Sequence, residues 1–176
     1  HGHGELINQT HLHNFVSMVK HFPHITFALW SKRTDIIRKY FKTNEIPDNL
    51  ILVYDNNKIS IDGSTDLAFS DDTNLRFKSV NWNVLSGDGH NHKNIKYLFK
   101  KVQKTSKPSL INFKTVIGFG SPNKSAKASS HGSPLGIEEI ALTKKQLKWN
   151  ENSFSIPSKL LKTWRDSANR NKKIYI

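Results

Sequence analysis

The chain has 176 residues, 36% of them apolar, with ten Phe and four Trp. That is enough for one folded domain with a core and argues against disorder. The absence of cysteine excludes disulfides, thiolate metal sites and cysteine nucleophiles. No apolar run approaches the roughly 18 residues of a membrane span.

A net charge of +13 raises nucleic acid as a partner. Only 5 of the 27 basic residues are Arg, however, and no zinc-finger spacing, RNP-like aromatic stretch or Arg-rich helix is present. Lys on solvated faces is the simpler reading, and a non-catalytic basic binding module remains the alternative. The opening HGHGELINQT lacks the regions of a signal peptide, so the cytoplasm is the default compartment. The first residue is not Met, as in a fragment or a processed product.

In chain order, Leu12, Phe15, Val16, Val19 and Phe22 follow helical spacing over residues 10–22, ended by Pro23. Residues 25–30 read as a short buried strand. Thr34 opens a second helix with Ile36, Ile37, Tyr40 and Phe41 on one face. The continuously apolar LILVY at 50–54 reads as a buried parallel strand. A short helix from Ser70 or Asp71 carries Leu75, Phe77 and Val80, and a strand follows at 82–85. Residues 92–105 form a Lys-studded helix with Ile95, Leu98, Phe99 and Val102 inward, and SLINFKTV at 109–116 is another strand. The Gly/Ser/Pro-rich stretch 118–135 is too long for a plain connection. A last helix spans 137–147, and the basic tail from Lys159, with its lone Trp164, is expected to pack loosely.

Alternating strands and helices specify an α/β fold, an open and mostly parallel sheet with flanking helices. Ligands collect at the carboxyl ends of such strands. Asp55-Asn56-Asn57 follows one strand end and the 118–135 loop another, which places two candidate ligand loops on one edge. Asn57 and the carbonyls of the turn through Ile59 are hard oxygen donors suited to Mg²⁺ or Ca²⁺. The same residues also make an ordinary turn, since Asn caps turns locally. His131 is a candidate donor to phosphate. Six of the nine histidines fall in the first 24 residues. His11 and His13 point to different helix faces, whereas His21 and His24 are a candidate zinc pair, with solvated histidines the plainer reading.

The stretches NLILVYDNNKISIDG, FSDDTNLRF, DGHN, KPSLINFKTVIGFGSPNK, SHGSPLG, EEIALTKKQLKW and FSIP, in this order, resemble the thiamine-diphosphate-binding N-terminal domain of transketolase. The resemblance covers residues 49–165. It leaves 1–48 as a helix-strand-helix segment of uncertain origin, faintly similar to phage and mobile-element proteins, and 166–176 as a basic tail. The resemblance implies a parallel α/β fold, thiamine diphosphate as cofactor and Mg²⁺ or Ca²⁺ as its metal. It implies Asn57 and Ile59 as metal donors, Ile117 against the cofactor rings, and His131 at the diphosphate and the substrate's reacting end. Sugar phosphates are the implied substrates and two-carbon ketol transfer in the pentose phosphate pathway the implied reaction. The resemblance also implies an activating glutamate from a pyrimidine-binding domain that this chain lacks, supplied across a homodimer interface or by a separate domain.

Two departures stand out. The family's Gly-Asp-Gly metal motif belongs roughly 30 residues before Asn57, near 26–28, where this chain has apolar strand. Gly87-Asp88-Gly89 lies downstream instead, in an element that opens a helix. Asp35 lies several residues too late to substitute easily, and Lys32 and Arg33 are candidates to neutralise phosphate. With neutral donors alone, weakened metal and cofactor binding is expected, and ketol transfer by this chain alone is not. Second, Ser125-Ala126-Lys127 stands where the family has Ala-Gly-Thr, and loss of that Gly is expected to stiffen or displace the loop.

Overall fold

The protein, seen in a computed structural model, is described for residues 8–22, 27–29, 34–40 and 44–172. Helix α1 (Gln9–His21) starts at Asn8, whose side chain accepts from the His11 amide, and buries Leu12, Val16 and Val19. Strand β1 (Phe27–Leu29) and helix α2 (Thr34–Tyr40) follow. Strand β2 (Leu50–Asn56) leads into a hairpin of two-residue strands, β3 (Ile59–Ser60) and β4 (Gly63–Ser64). Next come α3 (Thr73–Ser79), β5 (Asn83–Asp88), α4 (His92–Val102) and β6 (Ser109–Lys114). Helices α5 (Ile137–Gln146) and α6 (Ser158–Lys172) end the described chain.

The main sheet has the order β1-β2-β6-β5, with every neighbouring pair parallel. Phe27 pairs with Leu50, which puts β1 alongside β2 and makes the N-terminal segment part of the same sheet. Strand β6 takes an inner place and is the most buried, with Leu110 and Ile111 at 0% exposure. Side chains alternate between faces along each strand. One face packs Leu50, Leu52 and Leu110 against Leu12, Val16, Ile36 and Tyr40, with Trp82 completing it. The other packs Ile51, Ile111 and Phe113 against Leu98 and Val102 of α4. Both faces are covered, as a parallel sheet requires.

Three local features go beyond the sequence expectations. Leu75 and Val80 are 60% and 61% exposed, because of the apolar residues on the short α3 only Phe77 turns inward, edge-on to Trp82 with ring centroids 4.9 Å apart. The basic tail is helical: Ser158 begins a 15-residue helix, and Trp164 stays 80% exposed on it. The Asn-rich turn after β2 is the start of a small hairpin, pinned by the Thr65 amide donating to the Lys58 carbonyl at 3.0 Å. Phe41, Trp30 and His24 lie outside the described residues.

The long loop after β6 is held from α5. Buried Glu139 accepts through Oε1 from the Ser121 hydroxyl and from the Asn123 amide (2.8 Å), and through Oε2 from Asn123 Nδ2 (2.9 Å). The Ser121 hydroxyl, then the two Asn123 donors, stabilise the carboxylate and lower its pKa from 4.5 to about 2. Lys124 Nζ donates to the Leu135 carbonyl at 2.8 Å and closes the loop base. Ala126 has a left-handed backbone, φ 58°, while its amide donates to the Ile117 carbonyl at 2.9 Å. A non-glycine therefore holds the left-handed conformation at this residue.

Two outcomes follow. Because the folded-state pKa of Glu139 is depressed, its contribution is complete above about 4.5 and is lost as pH falls toward about 2. The stability gap between wild type and Glu139→Gln, measured by urea unfolding, should therefore shrink across that interval; a pH-independent gap would contradict the assignment. For Ala126→Gly, left-handed strain of about 1–2 kcal/mol outweighs about 0.4–1 kcal/mol of added unfolded-chain freedom. Net stabilisation of about 0.5–1 kcal/mol is expected in the same assay, and destabilisation would refute it.

Candidate functional site

The carboxyl ends of β2 and β6 lie side by side, with Asn56 in register with Lys114. Just beyond them, the Thr115 amide donates to the Asn56 carbonyl at 3.3 Å and the Thr115 hydroxyl donates to Asp55 Oδ1. The turn carrying Asn57 and the strand exit carrying Ile117 are therefore tied together by backbone and side chain. Asn57 is half-buried, and its Oδ1 accepts from the Ile59 amide at 3.0 Å, the local turn geometry that Asn favours. Lys58 between them has φ 61°, a left-handed conformation uncommon for a non-glycine residue.

From Ile117 the loop runs out and folds back on itself. The Ser130 hydroxyl donates to the Lys124 carbonyl at 2.5 Å, and a Cβ on Gly118 would meet Ser130 Oγ at 2.8 Å. Ser130 thus sits against the residue after Ile117, and His131 follows directly. The His131 amide donates to the Ala128 carbonyl at 2.8 Å, closing a 3₁₀ turn over Ala128–Ser130. Its ring is half-buried, and Nδ1 is buried with no hydrogen-bond partner. A buried polar nitrogen without a partner is rare and calls for a reason.

Gly87-Asp88-Gly89 has a different use. Added Cβ atoms would lie 2.2 Å from Asn94 Oδ1 at Gly87 and 2.5 Å from Thr115 Cγ2 at Gly89, so both glycines permit close packing. Asp88 Oδ1 accepts from the His90 amide at 2.8 Å, a turn leading to the Asn91 cap of α4. This agrees with the sequence expectation that the motif opens a helix. Sequence reasoning passed over His90, whose Nε2 accepts from the Val116 amide at 2.8 Å. Only the strand register reveals that pairing.

Of residues 26–28, where a metal-binding Asp was sought, Phe27 and Ala28 lie in β1 and Thr26 lies outside the described residues. Asp35 falls in α2, and Ser31, Lys32 and Arg33 lie outside the described residues. Among the described residues, no three His, Asp or Glu side chains gather as metal ligands. His13 is engaged with the Tyr40 hydroxyl at 3.0 Å. A polar cavity of about 370 Å³ adjoins the same edge, lined in part by Asn56, Lys58, Asp72, Asn112 and Lys114. No helix among the described residues is long and apolar enough to cross a membrane.

Comparison with known proteins places this edge in context. The family model for "Transketolase, thiamine diphosphate binding domain" matches residues 43–175. Transketolase from Buchnera aphidicola (subsp. Acyrthosiphon pisum) is 52% identical over 117 residues, 65% of this chain and 18% of that protein. Transketolase 1 of Escherichia coli is 49% identical over the same shares. Among solved structures, a Pichia stipitis transketolase mutant in complex with xylulose 5-phosphate superposes with a TM-score of 0.68 at 35% identity. That match covers 72% of this chain and 19% of the other. Campylobacter jejuni transketolase gives 0.60 at 40% identity, covering 62% and 18%. The chain spans about a fifth of the length of these relatives. With a family match over most of its length and a parallel sheet that superposes on solved members, the chain belongs to the transketolase thiamine diphosphate-binding domain family.

Proposed function

We propose that the carboxyl edge of this sheet holds the diphosphate of thiamine diphosphate, with His131 as its hydrogen-bond donor. The observation that carries the reading is the buried, partnerless His131 Nδ1 in the loop leaving β6. Leaving a buried polar group unpaired costs about 1–3 kcal/mol, and a phosphate oxygen accepting from Nδ1–H removes that cost. Ile117, half-buried at the loop's start, offers an apolar surface to the cofactor rings.

The fit for a divalent ion is poorer. Asn57 and Ile59 are the two donors the chain offers to Mg²⁺ or Ca²⁺, and Asn57 Oδ1 already serves the Ile59 amide. Asp55 is engaged by Thr115 and Asp71 by Arg76. Two neutral oxygens do not make a complete shell for a hard dication. These residues suit a diphosphate and not a fully ligated metal.

In the wider reading, residues 49–165 are the cofactor-binding unit of a cytoplasmic transketolase-type enzyme, which transfers two-carbon ketol units between sugar phosphates. Residues 1–48 add a sheet-edge segment and 166–176 a basic extension. Thiamine diphosphate, when bound, supplies the carbanion-stabilising chemistry. The chain's own part is to anchor the diphosphate and present His131 toward the substrate. A pyrimidine-binding domain from a homodimer partner or another polypeptide completes the centre. Phe154, Ile156 and Trp164, at 107%, 59% and 80% exposure, support a covering partner.

Calorimetric titration with thiamine diphosphate, with and without Mg²⁺, tests the reading. A dissociation constant of about 0.1–1 mM is expected, roughly −4 to −5.5 kcal/mol, with little gain from the metal. His131→Ala should weaken binding by about tenfold, the loss of a hydrogen bond to a charged group. Absence of heat at millimolar cofactor, or a His131→Ala variant that binds like wild type, would overturn it.

A further inference from the structure

We propose that His90 is a positioning residue for the cofactor edge: its imidazole fixes the backbone at Val116 and so sets where Ile117 and the loop behind it lie. This rests on the cofactor reading above for its consequence, but not for its geometry. The carboxyl end of β5 and the exit of β6 meet at three consecutive points. The Gly89 amide donates to the Lys114 carbonyl at 2.8 Å, Gly89 abuts Thr115, and His90 Nε2 accepts from the Val116 amide at 2.8 Å. Beyond Val116, the His90 ring stacks on Phe119, with centroids 3.9 Å apart and planes 14° from parallel. The imidazole therefore grips both sides of Ile117 and Gly118, one residue before and one after.

The grip specifies a tautomer. Nε2 accepts, so the neutral ring must carry its proton on Nδ1. It also explains an otherwise idle motif. The Asp88 carboxylate holds the His90 amide at 2.8 Å, and the Asp88 amide is itself held by Asn94 Oδ1 at 2.8 Å, so Asp88 orients the histidine rather than a metal. Without His90, the first free residue beyond the ladder would be Val116. Its amide is otherwise unpaired in the backbone network, on an exposed residue at the mouth of the candidate site.

The test uses the whole chain, labelled with ¹⁵N, as wild type, His90→Phe and His90→Gln. Phe keeps the stacking and loses the acceptor; Gln keeps a carbonyl acceptor at a comparable reach. In wild type, the imidazole ¹⁵N spectrum should show an unprotonated Nε2 and a protonated Nδ1. His90→Phe should accelerate exchange of the Val116 amide by about three- to tenfold and weaken thiamine diphosphate by a similar factor, with His90→Gln restoring both. Unchanged Val116 exchange in His90→Phe, or a protonated Nε2 in wild type, overturns the assignment. Accelerated exchange with unaltered cofactor affinity overturns its bearing on the cofactor edge. If wild type binds no thiamine diphosphate, the cofactor reading fails, while the exchange and tautomer measurements still decide the role of His90.

Discussion

The structure depends on the burial of β6 between β2 and β5. Leu110 and Ile111 reach opposite faces of the sheet, and each is wholly shielded from solvent. Fully burying two such side chains contributes about 1.5–3 kcal/mol each, more than any surface contact in the chain. The register that this burial enforces is what brings Asn56 beside Lys114 on one side and Asp88 beside Lys114 on the other. A one-residue slip would exchange the two faces of the strand and separate those ends. Everything described at the carboxyl edge follows from that alignment.

Much of the fold was legible because its strongest elements obey simple patterns. Strand β2 announced itself as an uninterrupted apolar run, and α4 as an apolar stripe of Ile95, Leu98, Phe99 and Val102 that the structure buries or half-buries. Short elements were less legible. Leu75 and Val80 look like core residues by type, but a two-turn helix buries only what happens to face the sheet. The helix over Ser158–Lys172 was hidden by its basic composition and by a Trp left outside. The hairpin after β2 involves strands of two residues, below what alternation can signal.

The site was legible in a different way. Which loops share an edge could be read from strand order, but which side chain holds which backbone could not. Asp88 shows the difference. Flanked by two glycines it resembles a metal motif, yet both glycines are there because neighbouring atoms leave no room for a Cβ. Ala126 shows the converse, since a non-glycine takes a left-handed turn while its amide bonds to Ile117 and Glu139 anchors the loop. Glu139 itself, a plain helix residue in sequence, proves to be the loop's main tether.

The β1 strand completes the picture at the other margin. Residues 1–42 precede the family match, yet β1 joins the sheet in parallel register with β2. Its residues Phe27, Ala28 and Leu29 are all apolar. The most direct test is to map backbone and histidine resonances during addition of thiamine diphosphate. The account predicts concerted shifts at Asn57, Ile117 and His131. Shifts scattered over surface lysines, with these three unmoved, would contradict it.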